Sequence, residues 1–393
     1  MNTGNALNLA LAVALAFALP SSRALGGPQD GVVLGAVKFV DHGPDTRRFN
    51  FVLVAEGFRS SELGAFASSA QSFVNQFFST PPFNTNRTCF NFWRIDVASD
   101  QSGADNPATC PDGSTATEVV VDTYFDAKFC SSGIRRLLTV NSSLAQNVLN
   151  AQVPNWDAAL IIVNSTTYGG AGGNPAVTSL AGSWHNIALH EFGHSAFSLA
   201  DEYDYWAGCS ADAAGTRDYH SSSEPSNPNV TVENRADYVK WRHLFYPGIA
   251  IPTTVSTNCT KCDTKPDPFP GQVRVGLYEG AHYYHCSVYR PVHSCMMRNY
   301  APFCPVCSAR ILQVLQPNQP GNSPPLVFSP RRTGSVFSIE VPSSVGKNYQ
   351  LEFRDSLGTP TWSGSSQVPG DGKVITLYDT STNSHRFYRV KQW

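Results

Sequence analysis

Charge is scarce in this chain. Of its 393 residues only 15% are Asp, Glu, Lys or Arg, and the formal net charge is -2. A surface so sparsely charged lacks the dense positive field that captures nucleic acid. With 41% hydrophobic residues the chain is also no acidic disordered protein. Methionine is nearly missing, with three residues including Met1. No stretch beyond the N-terminus approaches the roughly 20 apolar residues of a membrane-spanning helix, and no internal repeat points to a solenoid or propeller. The length is enough for two or three domains and for a core that holds without cross-links.

What is present begins with an apolar run over 7–19, LNLALAVALAFAL, broken only by Asn8. It is too short to span a bilayer comfortably, and Ser22-Arg23-Ala24 offers small residues for cleavage, so 1–24 reads as a signal peptide. Residues 1–6 lack the Lys or Arg usual in such a signal. Ten cysteines suit an exported chain. Two CxxC pairs stand out, Cys259/Cys262 and Cys304/Cys307. Export favours disulfides over a structural zinc for them, and connectivity is not readable.

Along the chain, 48–55 (RFNFVLVA) reads as a buried strand after a short polar leader. Helical spacing over 63–78 places Phe66, Ala70, Phe73 and Phe77 on one face, and Pro81-Pro82 ends that helix. Further strands are expected over 89–98 and 158–163, and a helix over 134–140. The glycine cluster 168–173 opens into 175–179, which suggests an edge strand with exposed backbone. Ser183 is the expected N-cap of the next helix. From 203 to 300 periodicity is weak, as in a functional or cross-linked region. Residues 317–325 (PNQPGNSPP) have linker composition. Short strands over 336–341, 349–353, 374–377 and 386–390 follow, a small all-β module.

The segment 189–203, LHEFGHSAFSLADEY, carries the chemistry. On a helix His190 and His194 share one face roughly 6 Å apart. Two such imidazoles suit one Zn2+, with Glu191 placed to act on a zinc-held water. A catalytic zinc needs a third protein ligand. Metzincins place theirs ten residues after the first histidine, where this chain has Ala200, which cannot ligate. Asp201, one residue on, is the expected third ligand, with Glu202 as the alternative. Phe197 stands where metzincins carry the glycine that turns the chain. His185 reads as structural or surface. His220 competes as a ligand only in principle, and His243, His282, His285 and His293 lack a pairing that suggests metal.

These residues, with GLYEGAHYYHCSVYRPVHSCMMR (276–298), PFCPVC (302–307), VLVAEGF (52–58) and FNFWRIDVASDQSGADNP (90–107), resemble the IgA-peptidase family of zinc metallopeptidases over 32–315. The resemblance implies a metzincin-like α+β fold, with a twisted mixed sheet, backing helices, an active-site helix and a methionine turn. Met297 matches that turn best, with Met296 its neighbour, as a soft apolar floor rather than a ligand. It also implies a protein or peptide substrate that adds along the edge strand 168–179. Tyr278, Tyr283, Tyr284 and Tyr289 are placed on the opposite cleft wall, any one of them a candidate to stabilise an oxyanion. The tail 334–393 resembles small C-terminal β modules of exported Verrucomicrobia and Planctomycetes proteins, which implies by analogy a β-sandwich with a role in surface attachment or carbohydrate contact.

The expectation is therefore an exported, secreted or cell-surface zinc metalloendopeptidase. Its parts are a signal peptide (1–24), a peptidase domain (25–316), a linker (317–333) and a β-sandwich (334–393). His190, His194 and Asp201 hold zinc and Glu191 is the general base. No nucleic acid and no transmembrane segment are expected. Two alternatives stay open, a non-catalytic surface-binding protein with a structural zinc and a zinc amidase acting on cell-wall peptides.

Overall fold

In the computed structural model the described residues are 27–204, 217–257, 259, 266–320, 327–343, 345–358, 360–383 and 385–393. The expected signal peptide, Cys209, Cys262 and positions 321–326 of the expected linker lie outside them.

The larger domain is built on strands β1 (Gly31–Val40), β2 (Phe49–Glu56), β3 (Phe90–Ser99), β4 (Ala158–Val163), β5 (Gly170–Ala171) and β6 (Ala176–Ser179). They form one mixed sheet in the order β1-β3-β2-β4-β6-β5. β2 and β4, the two runs that read as continuous apolar strands, lie inside it with every residue buried. That is the pattern of parallel strands covered on both faces. β3, β2, β4 and β6 run parallel, while β1 and β5 close the two edges antiparallel. The extended run expected at the edge, 175–179, forms β6 and lies inside the sheet, covered by β5 at the glycine run, which is the edge and only two residues long.

Two helices bed against β2. Helix α1 (Leu63–Ser79) turns Phe66, Phe73 and Phe77 inward. Helix α3 (Trp184–Phe197), which carries the paired histidines, buries Phe192 and Phe197 on its rear. Phe51 of β2 meets both: its ring stacks on Phe192 at 4.3 Å and meets Phe73 edge-on at 5.6 Å. Phe77 of α1 completes the contact with Phe192 at 5.5 Å. Each buried phenylalanine contributes about 1.5–3 kcal/mol by burial, so the position of α3 on the sheet is set by a phenylalanine core.

Elsewhere the structure departs from the sequence reading. The helix expected over 134–140 is absent. Residues 134–137 make a single turn, with the Leu137 amide donating to the Ile134 carbonyl, and Thr139 then exchanges backbone bonds with Lys128, behind a Cys110–Cys130 disulfide. The helix starts later, as α2 (Ser142–Gln152), where Asn141 caps it by accepting from the Leu144 amide. The stretch taken as a polar leader contains β1, which pairs along β3. Ser183 does occupy the N-cap of α3, in a left-handed conformation, but its side chain makes no capping bond.

The weakly periodic region holds a small sheet of β7 (Arg217–Tyr219), β8 (Tyr278–Ala281) and β9 (Tyr284–Arg290), tied by a Cys259–Cys286 disulfide. Cys259 therefore does not pair within its CxxC. Two helices follow, α4 (Met296–Asn299) and α5 (Pro305–Leu315). The sequence reading missed α5, although Pro305 at its first position is a start signal.

The C-terminal part comprises β10 (Phe328–Thr333), β11 (Val336–Pro342), β12 (Asn348–Arg354), β13 (Ser363–Gly364), β14 (Val368–Pro369), β15 (Val374–Thr380) and β16 (Phe387–Gln392). The expected linker, 317–333, is too long, because residues 328–333 already pair with β11. One sheet joins β10, β11 and β15, and another gathers β13, β14 and β16 around β12. Ile339, Val341, Tyr349, Leu351 and Leu377 form their own core, separate from the larger one, whose last member is Leu315. A chain ending at Pro320 should therefore keep the denaturant midpoint of the larger domain. A shifted midpoint, or loss of soluble protein, would show that the tail belongs to the larger core.

Candidate metal centre

Helix α3 is fixed by its apolar rear, so its remaining face turns His190, Glu191 and His194 the other way. Each histidine is oriented by a backbone carbonyl. His190 Nδ1 lies 3.0 Å from the Met296 carbonyl and His194 Nδ1 2.7 Å from that of Leu199. A carbonyl only accepts, so Nδ1 carries the proton in both rings and Nε2 is left for a metal. The two Nε2 atoms stand 3.1 Å apart.

Asp201 joins them. Its Oδ1 lies 3.0 Å from His190 Nε2 and 3.2 Å from His194 Nε2. The local backbone explains the displacement by one residue. Helix α3 runs through Phe197, and the chain turns at Ser198, which is left-handed with φ 56°. The Ser198 amide donates to His194 and that of Leu199 to Gly193, a helix-ending pattern usually built on glycine. The turn comes one residue after Phe197, and the side chain it brings to the two imidazoles is that of Asp201. Three converging atoms at 3.0–3.2 Å fit tetrahedral zinc, whose nitrogen and oxygen ligands at about 2.0–2.2 Å lie about 3.4 Å from each other.

Glu202, the alternative ligand, does not join this group. The Glu202 amide donates to the Met297 carbonyl at 2.8 Å, and its carboxylate is buried with Cys295, Cys304 and Cys307. These three cysteines are unpaired, so the disulfide expected for Cys304/Cys307 is not formed. Successive residues of an extended segment point to opposite sides, which sends Asp201 and Glu202 apart.

Met297 is fully buried beneath α3, and a Cβ on Gly193 would come within 2.5 Å of its Sδ. The glycine inside HEFGH is what allows this floor to approach the helix. The glycine run matters in the same way on the other side. A Cβ on Gly172 would stand 3.1 Å from Glu191 Oε2 and 3.6 Å from His194 Cδ2. Bare backbone therefore lies directly over the glutamate. Part of that edge is closed, since Gly170 donates to Arg136 O and accepts from Leu138 N.

Of the four tyrosines placed on the cleft wall, only Tyr283 reaches the centre, where its hydroxyl donates to Asp201 Oδ2. Tyr278 is buried and donates to the Arg274 carbonyl at 2.9 Å. Tyr289 is also buried, and Tyr284 packs on His220 at 4.8 Å. Two tyrosines that the sequence did not single out border the centre. Tyr203 stacks near His190 at 6.3 Å, and Tyr300 meets the same ring edge-on at 5.8 Å. The Tyr300 hydroxyl also bonds that of Tyr168 at 3.0 Å. His185 bonds Ser72 at 2.9 Å, away from the centre. His220 and His282 pair at 3.1 Å, a contact that spacing did not reveal.

Electrostatics favour cation binding here. Burial alone would raise the pKa of Asp201, but bonds from His190 and His194 hold it well below the ordinary carboxylate range. Burial disfavours charge on His194, yet the hydrogen bond and charge of Asp201 outweigh it and lift its pKa to about 9. Burial raises Glu191, with the two histidines opposing. A raised histidine pKa stabilises the folded chain fully below its unfolded value, and that contribution fades as pH rises through the folded value. In chelator-treated protein the unfolding midpoint should therefore fall between pH 6.5 and about 9. His194→Ala should abolish that fall, and an unchanged slope in this variant would refute the coupling to Asp201.

The family model for IgA Peptidase M64 matches residues 37–265 and 264–315, well over half of the chain. In a comparison with curated proteins, none matches.

Proposed function

Because the chain belongs to the IgA Peptidase M64 family, a family of metallopeptidases, we propose that it is an exported zinc-dependent endopeptidase acting on proteins. What carries the reading is the convergence of His190 Nε2, His194 Nε2 and Asp201 Oδ1 within 3.2 Å of one another beside Glu191. Those three side chains hold the zinc. Zinc, when bound, supplies a Lewis acid that polarises a carbonyl and makes water a nucleophile near neutral pH. Glu191 takes the proton of the attacking water and delivers it to the departing amine.

The substrate lies extended along the open part of the edge beyond Gly170, pairing through its backbone. Among the described residues no helix is long and apolar enough to cross a membrane. Export rests on the apolar N-terminal stretch. The metzincin-like assignment rests on the six-stranded mixed sheet, the active-site helix and Met297 under it. The C-terminal sheets we read as a sandwich module for surface attachment, on resemblance alone.

Two variants test the mechanism. Glu191→Gln leaves the three ligands untouched, so zinc per chain should stay as in wild type while kcat falls on the order of 10²–10⁴-fold, the usual loss of a general base. Wild-type turnover in that variant would remove Glu191 from the mechanism. Gly172→Ala should keep its zinc and lose kcat by roughly 10-fold, because the added methyl crowds the Glu191 carboxylate and shifts it by part of an ångström. Both are read by mass spectrometry of new termini in mixed folded and denatured proteins. Cleavage confined to cell-wall peptides in the same assay would replace the endopeptidase reading with that of an amidase.

A further inference from the structure

The cluster that receives Glu202 is unlike an ordinary core. Glu202, Cys295 and Cys307 are fully buried and Cys304 nearly so. One ligand-type atom from each of the four lies within 4.8 Å of the others. Burying a carboxylate with no ion bound to it is costly, because it must stay neutral or find partners for both oxygens. Glu202 Oε1 accepts from Asn229 Nδ2 at 2.9 Å and from Cys307 Sγ at 3.2 Å. Glu202 Oε2 is buried and has no hydrogen-bond partner among the described residues.

The spacing fits a metal better than a disulfide. Cys295 Sγ and Cys307 Sγ are 3.7 Å apart. A sulfur–sulfur bond needs about 2.05 Å. Tetrahedral zinc with sulfur ligands at about 2.3 Å places them about 3.8 Å from each other. The backbone supports thiolates at the same place. Cys304 caps α5, and its sulfur accepts from the Cys307 amide at 3.4 Å. The sulfur of Cys295 accepts from the Cys304 amide, also at 3.4 Å. Amides at a helix N-terminus favour negative charge. Asn229 holds the fourth group, since it also bonds Ala200 N and O at 2.8 and 2.9 Å.

We propose that Glu202, Cys295, Cys304 and Cys307 hold a second metal ion, zinc by the chemistry of the set, in a closed four-ligand structural site. It joins three pieces of chain that build the catalytic face. Glu202 follows Asp201, Cys295 precedes Met296 and Met297, and Cys304 and Cys307 anchor α5, whose Arg310 donates to the Phe197 carbonyl at the end of α3 at 3.2 Å. Four protein ligands leave no open position, so the ion positions and does not react.

The test uses the full mature chain, stripped of metal and reloaded with cobalt or zinc. Cobalt bound by thiolates absorbs in the near-ultraviolet, and the histidine–carboxylate centre adds nothing there. Wild type should show that band and hold two zinc ions per chain. His190→Ala should keep the band and hold one zinc. The double variant Cys304→Ser with Cys307→Ser should lose the band and also hold one. If this double variant fails to fold, Glu202→Gln should shift the band in an otherwise folded chain, and the wild-type spectrum decides on its own. Alkylation after denaturation and chelation should label all three cysteines. A wild-type protein without the band, or a disulfide linking any two of the three in a non-reducing digest, overturns the proposal and leaves the catalytic centre standing. A band present while His190→Ala loses no zinc upholds the second site and defeats the first.

Discussion

The stack of Phe192 on Phe51 governs the rest of the larger domain. It presses helix α3 onto a strand that is itself buried on all sides, and so fixes how the helix is rotated as well as where it lies. A helix free to roll by one residue, about 100°, would carry His190 and His194 out of reach of the two carbonyls that hold their Nδ1 atoms. Phenylalanines from β2, β3, α1 and α3 meet in one mass, so that rotation is set by shape. The chemical face then needs only short-range help: the Met296 and Leu199 carbonyls, the Ser198 turn and the backbone above Glu191.

The dipeptide Asp201-Glu202 shows how a small irregularity is used. Ending α3 at a left-handed serine one residue late costs strain that a glycine would avoid. In return it sets two adjacent carboxylates facing opposite ways, one toward imidazoles in the cleft and the other toward thiols in the core. The amide of Glu202 is tied to Met297, so the carboxylate segment and the floor of the cleft move as one piece.

Much of this was legible in the sequence because it depends on period or on spacing. The apolar runs at β2 and β4 and the phenylalanine face of α1 declare themselves by pattern. HExxH brings its two histidines together on any helix. What failed were features decided by distant contacts. Residues 134–140 have helical spacing, yet the Cys110–Cys130 link and the pairing of Thr139 with Lys128 leave them one turn and a bridge instead of a helix. β1 has no clean alternation because it bulges along β3. Spacing favoured Asp201 but left Glu202 open, because which carboxylate faces the histidines depends on the backbone at Ser198. The meeting of Cys295 with Cys304 and Cys307 is likewise a consequence of how α4 and α5 dock. Tyr300 and Tyr203 carried only the signal of lying beside motif residues.

The hydroxyl of Tyr283 on Asp201 Oδ2 has a bearing on coordination number. A carboxylate can grip a cation with both oxygens, and here one of the two is already taken. For a cation at this site Asp201 would then offer Oδ1 alone. With one atom from each of the three side chains, a tetrahedral ion would keep one direction open. The tyrosine would thus act as a limiter of denticity, and the room it preserves would be the room in which a reactant binds.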